Sequence, residues 1–276
     1  MTRPFLELER LEHRVLGALR FLDGATGGEI PGPLELSAVQ GEARFVRNRS
    51  GLAVLWSWSE MAEHGEAFRS PPEEQPLGSV PFRLQVRDPS GRYLPRAAAV
   101  DLPRDPGPDL RDTPDSLFQP AEVVLFRAPA ASTGTNWAVV RATVQDPTTG
   151  DRLGGALLRV LRGGEVIARG LTDGRGDGVV AVVGIPMLTF GAGDPDDEED
   201  DGAVVVATVA VQVEAVFPSA TGTRFAAEDL EAGARPPIPV VDPDAVEEDA
   251  AAPRGQAPLT IGARRTTVVT LPVSVP

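Results

Sequence analysis

Lysine and cysteine are both missing from this chain of 276 residues; its 26 basic residues are all arginine. Arginine throughout is the habit of a GC-rich genome, but the absence still excludes chemistry. No P-loop lysine, Schiff-base lysine or Ser-Lys dyad can be built. Without cysteine there is no thiol nucleophile, disulfide or thiolate metal site. Histidine occurs only at positions 13 and 64. Neither sits in a nucleophile or oxyanion context, and no HExxH-type spacing exists for zinc. No run approaches the roughly 20 apolar residues of a membrane span. The start, MTRPFLELERLEHRV, lacks the continuous apolar stretch of a signal peptide, so a cytoplasmic location is expected.

Positive charge is also scarce, 26 basic against 40 acidic residues for a formal −14. Such a surface repels phosphate backbones and anionic membranes, so no nucleic-acid partner is expected. What the chain has in quantity is turn formers, Gly 29 and Pro 27. Many short strands joined by turns use that composition, and an all-β fold is expected.

Two stretches repeat a pattern at an offset of 123: LRFLDGATGGEIPGPL (19–34) and ATVQDPTTGDRLGGAL (142–157). Asp23, Thr26 and Gly27 fall on Asp146, Thr149 and Gly150. In each, alternating residues make a strand, and D-x-x-T-G supplies a side chain that bonds its own backbone and a Gly for positive φ. A second turn repeats as well. Asn48-Arg49-Ser50-Gly51 precedes LAVLWSW, and Asp173-Gly174-Arg175-Gly176 precedes GVVAVVG; both suit a hairpin with a Gly bulge. The endings VDLP (100–103) and VTLP (269–272) read as equivalent strands.

The expected organisation is a lead (1–13), with Leu8, Leu11 and Val15 at helical spacing, then a first β-sandwich (14–104). A linker with one strand (105–135) leads to a second sandwich (136–276). The second carries an acidic loop (191–203) and a Pro- and acid-rich insertion (226–262) read as mostly loop. The fold class is two small immunoglobulin-like or transthyretin-like β-sandwiches in tandem.

Several features invite a functional reading. Arg175-Gly176-Asp177 spells the adhesion tripeptide, but hairpin turns favour Gly and Asp for backbone reasons, and it reads as a turn. The densest acidic run includes Asp194, Asp196, Asp197 and Glu198, weak candidates for calcium; it lacks the alternating ligands and central Gly of an EF-hand, and like-charge blocks are usually solvated. Trp56 and Trp58, two apart in LAVLWSW, are placed on one strand face with Leu52 and Val54; core packing competes there with a sugar- or partner-binding face. No residue pair stands out as catalytic, so no enzyme and no cofactor is expected; a carboxylate-dependent hydrolase is the remaining enzymatic alternative.

The second repeat resembles the carboxypeptidase regulatory-like (transthyretin-like) β-domain family. The resemblance rests on Asp146, Thr149, Gly150, Leu153, Gly155, Ala156, Thr172, Asp173 and Gly176. It implies a module that folds, spaces or binds without catalytic residues. RNRSGLAVL, DPSGRYLPRAAAVDLPRDP and SLFQPAEVVLF make the whole chain similar to accessory proteins of phage-tail-like contractile injection systems. That implies a structural subunit assembled in the cytoplasm with other protein subunits, as a homo-oligomeric ring or a decoration of a cap, baseplate or sheath end, and released with the particle. A carbohydrate- or calcium-binding sandwich is the alternative of another class.

Overall fold

The computed structural model describes residues 15–62, 79–185, 187–189, 204–206 and 208–276. The helical spacing expected over residues 8–15 falls almost wholly outside them. The chain is all-β, built from sandwiched sheets. Contacts divide it into two compact units, Met1–Arg20 with Ser37–Arg83 and Ala99–Glu122, and Phe21–Leu36 with Leu84–Ala98 and Val123–Pro276. Both units are discontinuous in sequence, whereas the repeats suggested contiguous ones.

In the first half of the chain the strands are β1 (Gly17–Asp23), β2 (Glu35–Ala38), β3 (Ala43–Arg47), β4 (Ala53–Trp58), β5 (Val80–Arg87), β6 (Arg96–Leu102) and β7 (Ala121–Leu125). They form sheets ordered β3-β4-β1-β7 and β2-β5-β6. β1 alternates buried and half-buried positions, and β5 runs Phe82, Leu84, Val86 inward with Arg83, Gln85, Arg87 outward. That period of two is what a half-buried strand requires. In the core of the first unit the Trp58 ring meets Phe82 edge-on, centroids 4.9 Å apart, and its indole N–H donates to the Gln40 carbonyl at 2.9 Å.

The second half contains β8 (Ala138–Gln145), β9 (Arg152–Gly154), β10 (Leu157–Arg162), β11 (Glu165–Leu171), β12 (Asp177–Val182), β13 (Met187–Thr189), β14 (Val204–Val206), β15 (Thr208–Val216), β16 (Thr223–Phe225), β17 (Arg254–Gly262) and β18 (Thr266–Pro272). β11-β10-β15-β17 is one sheet; β12-β8-β9-β16 is the other, with β18 parallel to β8. β13 and β14 pair separately. Val140, Val144, Leu153, Leu158, Val213 and Leu271 are fully shielded between the two larger sheets.

The repeat is topological as well as sequential. β1 pairs antiparallel with β4, Leu19 opposite Ala53, and β8 pairs with β12, Ala142 opposite Gly178. Three expectations need correction. VDLP ends β6, which pairs β5, while VTLP lies in β18 beside β8; the strand holding the equivalent place beside β1 is β7. The strand assigned to the linker is therefore the outer member of the first sheet. Second, residues 226–262 are ordered: α1 (Ala227–Glu231), α2 (Pro243–Glu248) and the nine-residue strand β17 lie there. Ala257, Leu259 and Ile261 alternate onto the core, and Pro258 is tolerated because β17 is an edge strand. Third, β11 and β12 do not form a simple hairpin. They belong to different sheets, and the turn between them closes with the Thr172–Gly178 bridge and the Asp173 N–H donating to the Asp177 carbonyl at 2.8 Å.

Candidate functional site

Among the described residues the D-x-x-T-G turns hold the most buried carboxylates, Asp23 at 5% and Asp146 at 2% exposure. Their backbones match bond for bond. Gly27 N–H donates to the Asp23 carbonyl and Gly150 N–H to that of Asp146, both at 2.8 Å. One side-chain oxygen accepts from the N–H two residues on, Ala25 at 2.8 Å and Thr148 at 2.9 Å. Each carboxylate also takes an arginine from far along the chain, Arg127 for Asp23 and Arg224 for Asp146 at 2.7 Å. Asp23 further accepts from the Tyr93 hydroxyl at 2.7 Å, and the Arg127 guanidinium lies over the Trp137 ring at 4.8 Å. Every strong polar direction of these acids is satisfied by the fold, so they are turn clamps.

Burial pushes Asp23 up, but the hydrogen bonds from Tyr93 and Ala25 and the Arg127 charge outweigh it and hold it below 3.8. Burial and the Asp23 carboxylate push Tyr93 up to about 12. Tyr93→Phe is expected to cost about 1.5–3 kcal/mol at neutral pH, the worth of a hydrogen bond to a charged acceptor. Because the folded value of Tyr93 is raised, that advantage is fully present below pH 10 and lost as pH rises through about 12. Because that of Asp23 is lowered, the acid side loses it as pH falls through the folded value, below 3.8. Denaturant midpoints of both proteins across pH measure this; a gap constant from pH 8 to 12 refutes the assignment.

The Arg175-Gly176-Asp177 tripeptide is built into the corner between the sheets. Asp173 Oδ1 accepts from Arg175 N–H (2.8 Å) and Asp177 N–H (3.2 Å), and Gly176 N–H donates to the Asp173 carbonyl (3.0 Å). The Asp177 carboxylate accepts from the Thr143 hydroxyl at 2.8 Å. Burial pushes Asp173 up, ahead of the backbone N–H groups that lower it. Asn48 makes the same turn in the first repeat, its Oδ1 accepting from Leu52 N–H at 2.9 Å. With its aspartate committed to β8, the tripeptide is a turn.

The tryptophan pair divides. Along β4, Leu55 and Trp58 are buried while Trp56 is 42% exposed. The register against β3 shifts between Arg44 and Phe45: Phe45 opposes Leu55, but Arg44 opposes Ser57, leaving Trp56 as the extra residue of a β-bulge. Trp56 thus keeps the face of Leu52 and Val54, and the bulge turns Trp58 to the opposite one. Trp58 enters the core; Trp56 faces outward with Arg44, whose guanidinium carbon is 5.8 Å from the ring centroid.

The remaining candidates give little. His13, His64 and the run containing Asp194, Asp196, Asp197 and Glu198 lie outside the described residues. Among those described, no cluster of three or more His, Cys, Asp or Glu is arranged for a metal ion, and no helix is long and apolar enough to cross a membrane. A shallow cavity of about 220 Å³ lies beside Asp23, Phe126, Ile167 and Arg169. Its charged groups are already engaged, Asp23 as above and Arg169 with Glu247 at 2.7 Å. Sequence reasoning missed a larger ion-pair system. The Arg96 side chain, 1% exposed, reaches Asp244 (2.7 Å) and Asp242 (3.3 Å) at the start of α2, while Arg159 reaches Glu247 (3.1 Å) and also Glu214.

No family model matches the sequence, and no curated protein does. Among solved structures, the chain is similar to the Bacillus anthracis TIE protein at 8% identity and a TM-score of 0.23. The match covers 94% of this chain and 34% of the other, so this chain spans about a third of that protein's length.

Proposed function

We propose that the chain is a non-enzymatic structural or adaptor subunit of a multi-protein assembly, of the kind that caps, decorates or joins the baseplate or sheath end of phage-tail-like contractile injection systems. The observation that carries this reading is the disposition of the charged groups. Asp23, Asp146, Arg96 and Arg159 are spent on holding turns and α2 in place rather than gathered in a cleft. The sandwiches meanwhile leave edge strands along which a neighbour can add. Cytoplasmic assembly with other subunits, followed by release with the particle, belongs to the same proposal.

Affinity purification of the tagged protein from its own cells tests it, the eluate being imaged by electron microscopy and its proteins identified by mass spectrometry. Rings or tubular particles with co-purifying sheath-like and tube-like proteins are expected. A lone monomer would sink the proposal.

A further inference from the structure

We infer that the outer edge of β3, flanked by Arg44, Val46, Arg49 and the outward-facing Trp56, docks an extended acidic strand of a partner protein. β3 ends its sheet, and among the described residues no strand pairs with its other side. Asn48 N–H donates to the Leu52 carbonyl at 3.0 Å, so antiparallel alternation makes Val46 and Val54 the next bonded pair. The same alternation turns the N–H and C=O of Phe45 away from β4. Such an edge is a template for one more strand.

The side chains select which strand. ARFVRNR, residues 43–49, offers Arg44 and Arg49 and has no acid within a chain of formal −14. A second copy presenting the same edge brings like charges opposite each other, whereas an acidic strand brings the complement. The neighbouring strand β4 adds what simple charge repulsion at an edge does not need. It leaves Trp56 on the outward face, where alternation from buried Leu55 puts it, beside Arg44 and Val46, which is 54% exposed. Tryptophan and arginine together are the residues that dominate binding energy in protein interfaces. The inference rests on the assembly reading and adds the chemistry of one partner.

The probe is a synthetic twelve-residue peptide alternating Glu or Asp with Val and Thr, titrated into the full chain while tryptophan emission is followed. A control peptide carries Gln and Asn in place of the acids. Saturable binding of the acidic peptide alone is expected, with protection of the Phe45 amide from hydrogen exchange. The emission change should vanish in Trp56→Phe. Affinity should fall about tenfold or more in Arg44→Glu, and in Arg49→Glu, an exposed turn position whose change leaves the strands intact. No saturable binding up to about 1 mM peptide overturns the inference. So does binding that both charge reversals leave unchanged. A failed titration beside particles recovered from native cells removes the docking site and leaves the assembly; peptide binding by a protein that is monomeric in its cells removes the assembly.

Discussion

Arg96→Ala is expected to destabilise the unit that holds it by about 3–5 kcal/mol, the cost of removing one partner from a buried charged network. For a body of this size that lowers the thermal midpoint by roughly 6–20 °C. The side chain is 1% exposed and has no water to fall back on. Its Nη1 donates to the Val124 carbonyl at 2.7 Å and its Nε to the Ala97 carbonyl at 2.9 Å, while Nη2 serves Asp244 and Asp242. Asp244 is 59% exposed and recovers solvation when the arginine goes; Asp242, 21% exposed, recovers less. Asp242 also caps α2 by accepting from Asp244 N–H, so the helix start loosens too. Faster hydrogen exchange at Ala97 N–H, which donates to the Val241 carbonyl, should accompany the loss. Arg96→Lys keeps the charge without the fork and should fall between. A midpoint for Arg96→Ala within about 2 °C of the parent would show that the network contributes little.

That residue marks where the sequence stops being legible. The turns were legible because their chemistry is local: Asp23 and Asp146 bond N–H groups two residues on, and Gly27 and Gly150 take positive φ within the same five residues. The arginines that complete them lie 104 and 78 residues away in sequence, and nothing near Asp23 or Asp146 names them. Arg96 looks like any surface arginine in YLPRAAAV. Trp58 was misplaced for a different reason. A bulge changes side-chain parity, and neither β4 nor β3 carries a glycine or proline to announce one. In α2 the signals were present, Asp242 as N-cap and Pro243 in the first turn, but the surrounding prolines and acids made a loop the natural reading.

The corner between the two sheets of the second half gives the other large effect. Leu158, on β10, is fully buried, and Leu158→Ala is expected to cost about 2–5 kcal/mol through lost contacts and the cavity left behind. Opposite it, Gly178 belongs to β12 while bridging to Thr172, the residue just after β11. A Cβ there would stand 2.5 Å from Leu158 Cδ1 and 2.8 Å from the Leu171 carbonyl oxygen. Gly178→Ala should therefore cost about 1–3 kcal/mol by overpacking. Together the two changes should cost less than their sum by about 1 kcal/mol, since the smaller side chain at 158 relieves the first clash. The second clash, with backbone, remains, so the double variant stays below the parent. Denaturant midpoints of the parent, both single variants and the double close this cycle. Additivity within about 0.5 kcal/mol would mean the two sites do not share space. A coupling of the expected size would show that the chain passes from one sheet to the other by close backbone approach, for which the corner keeps a residue without a side chain.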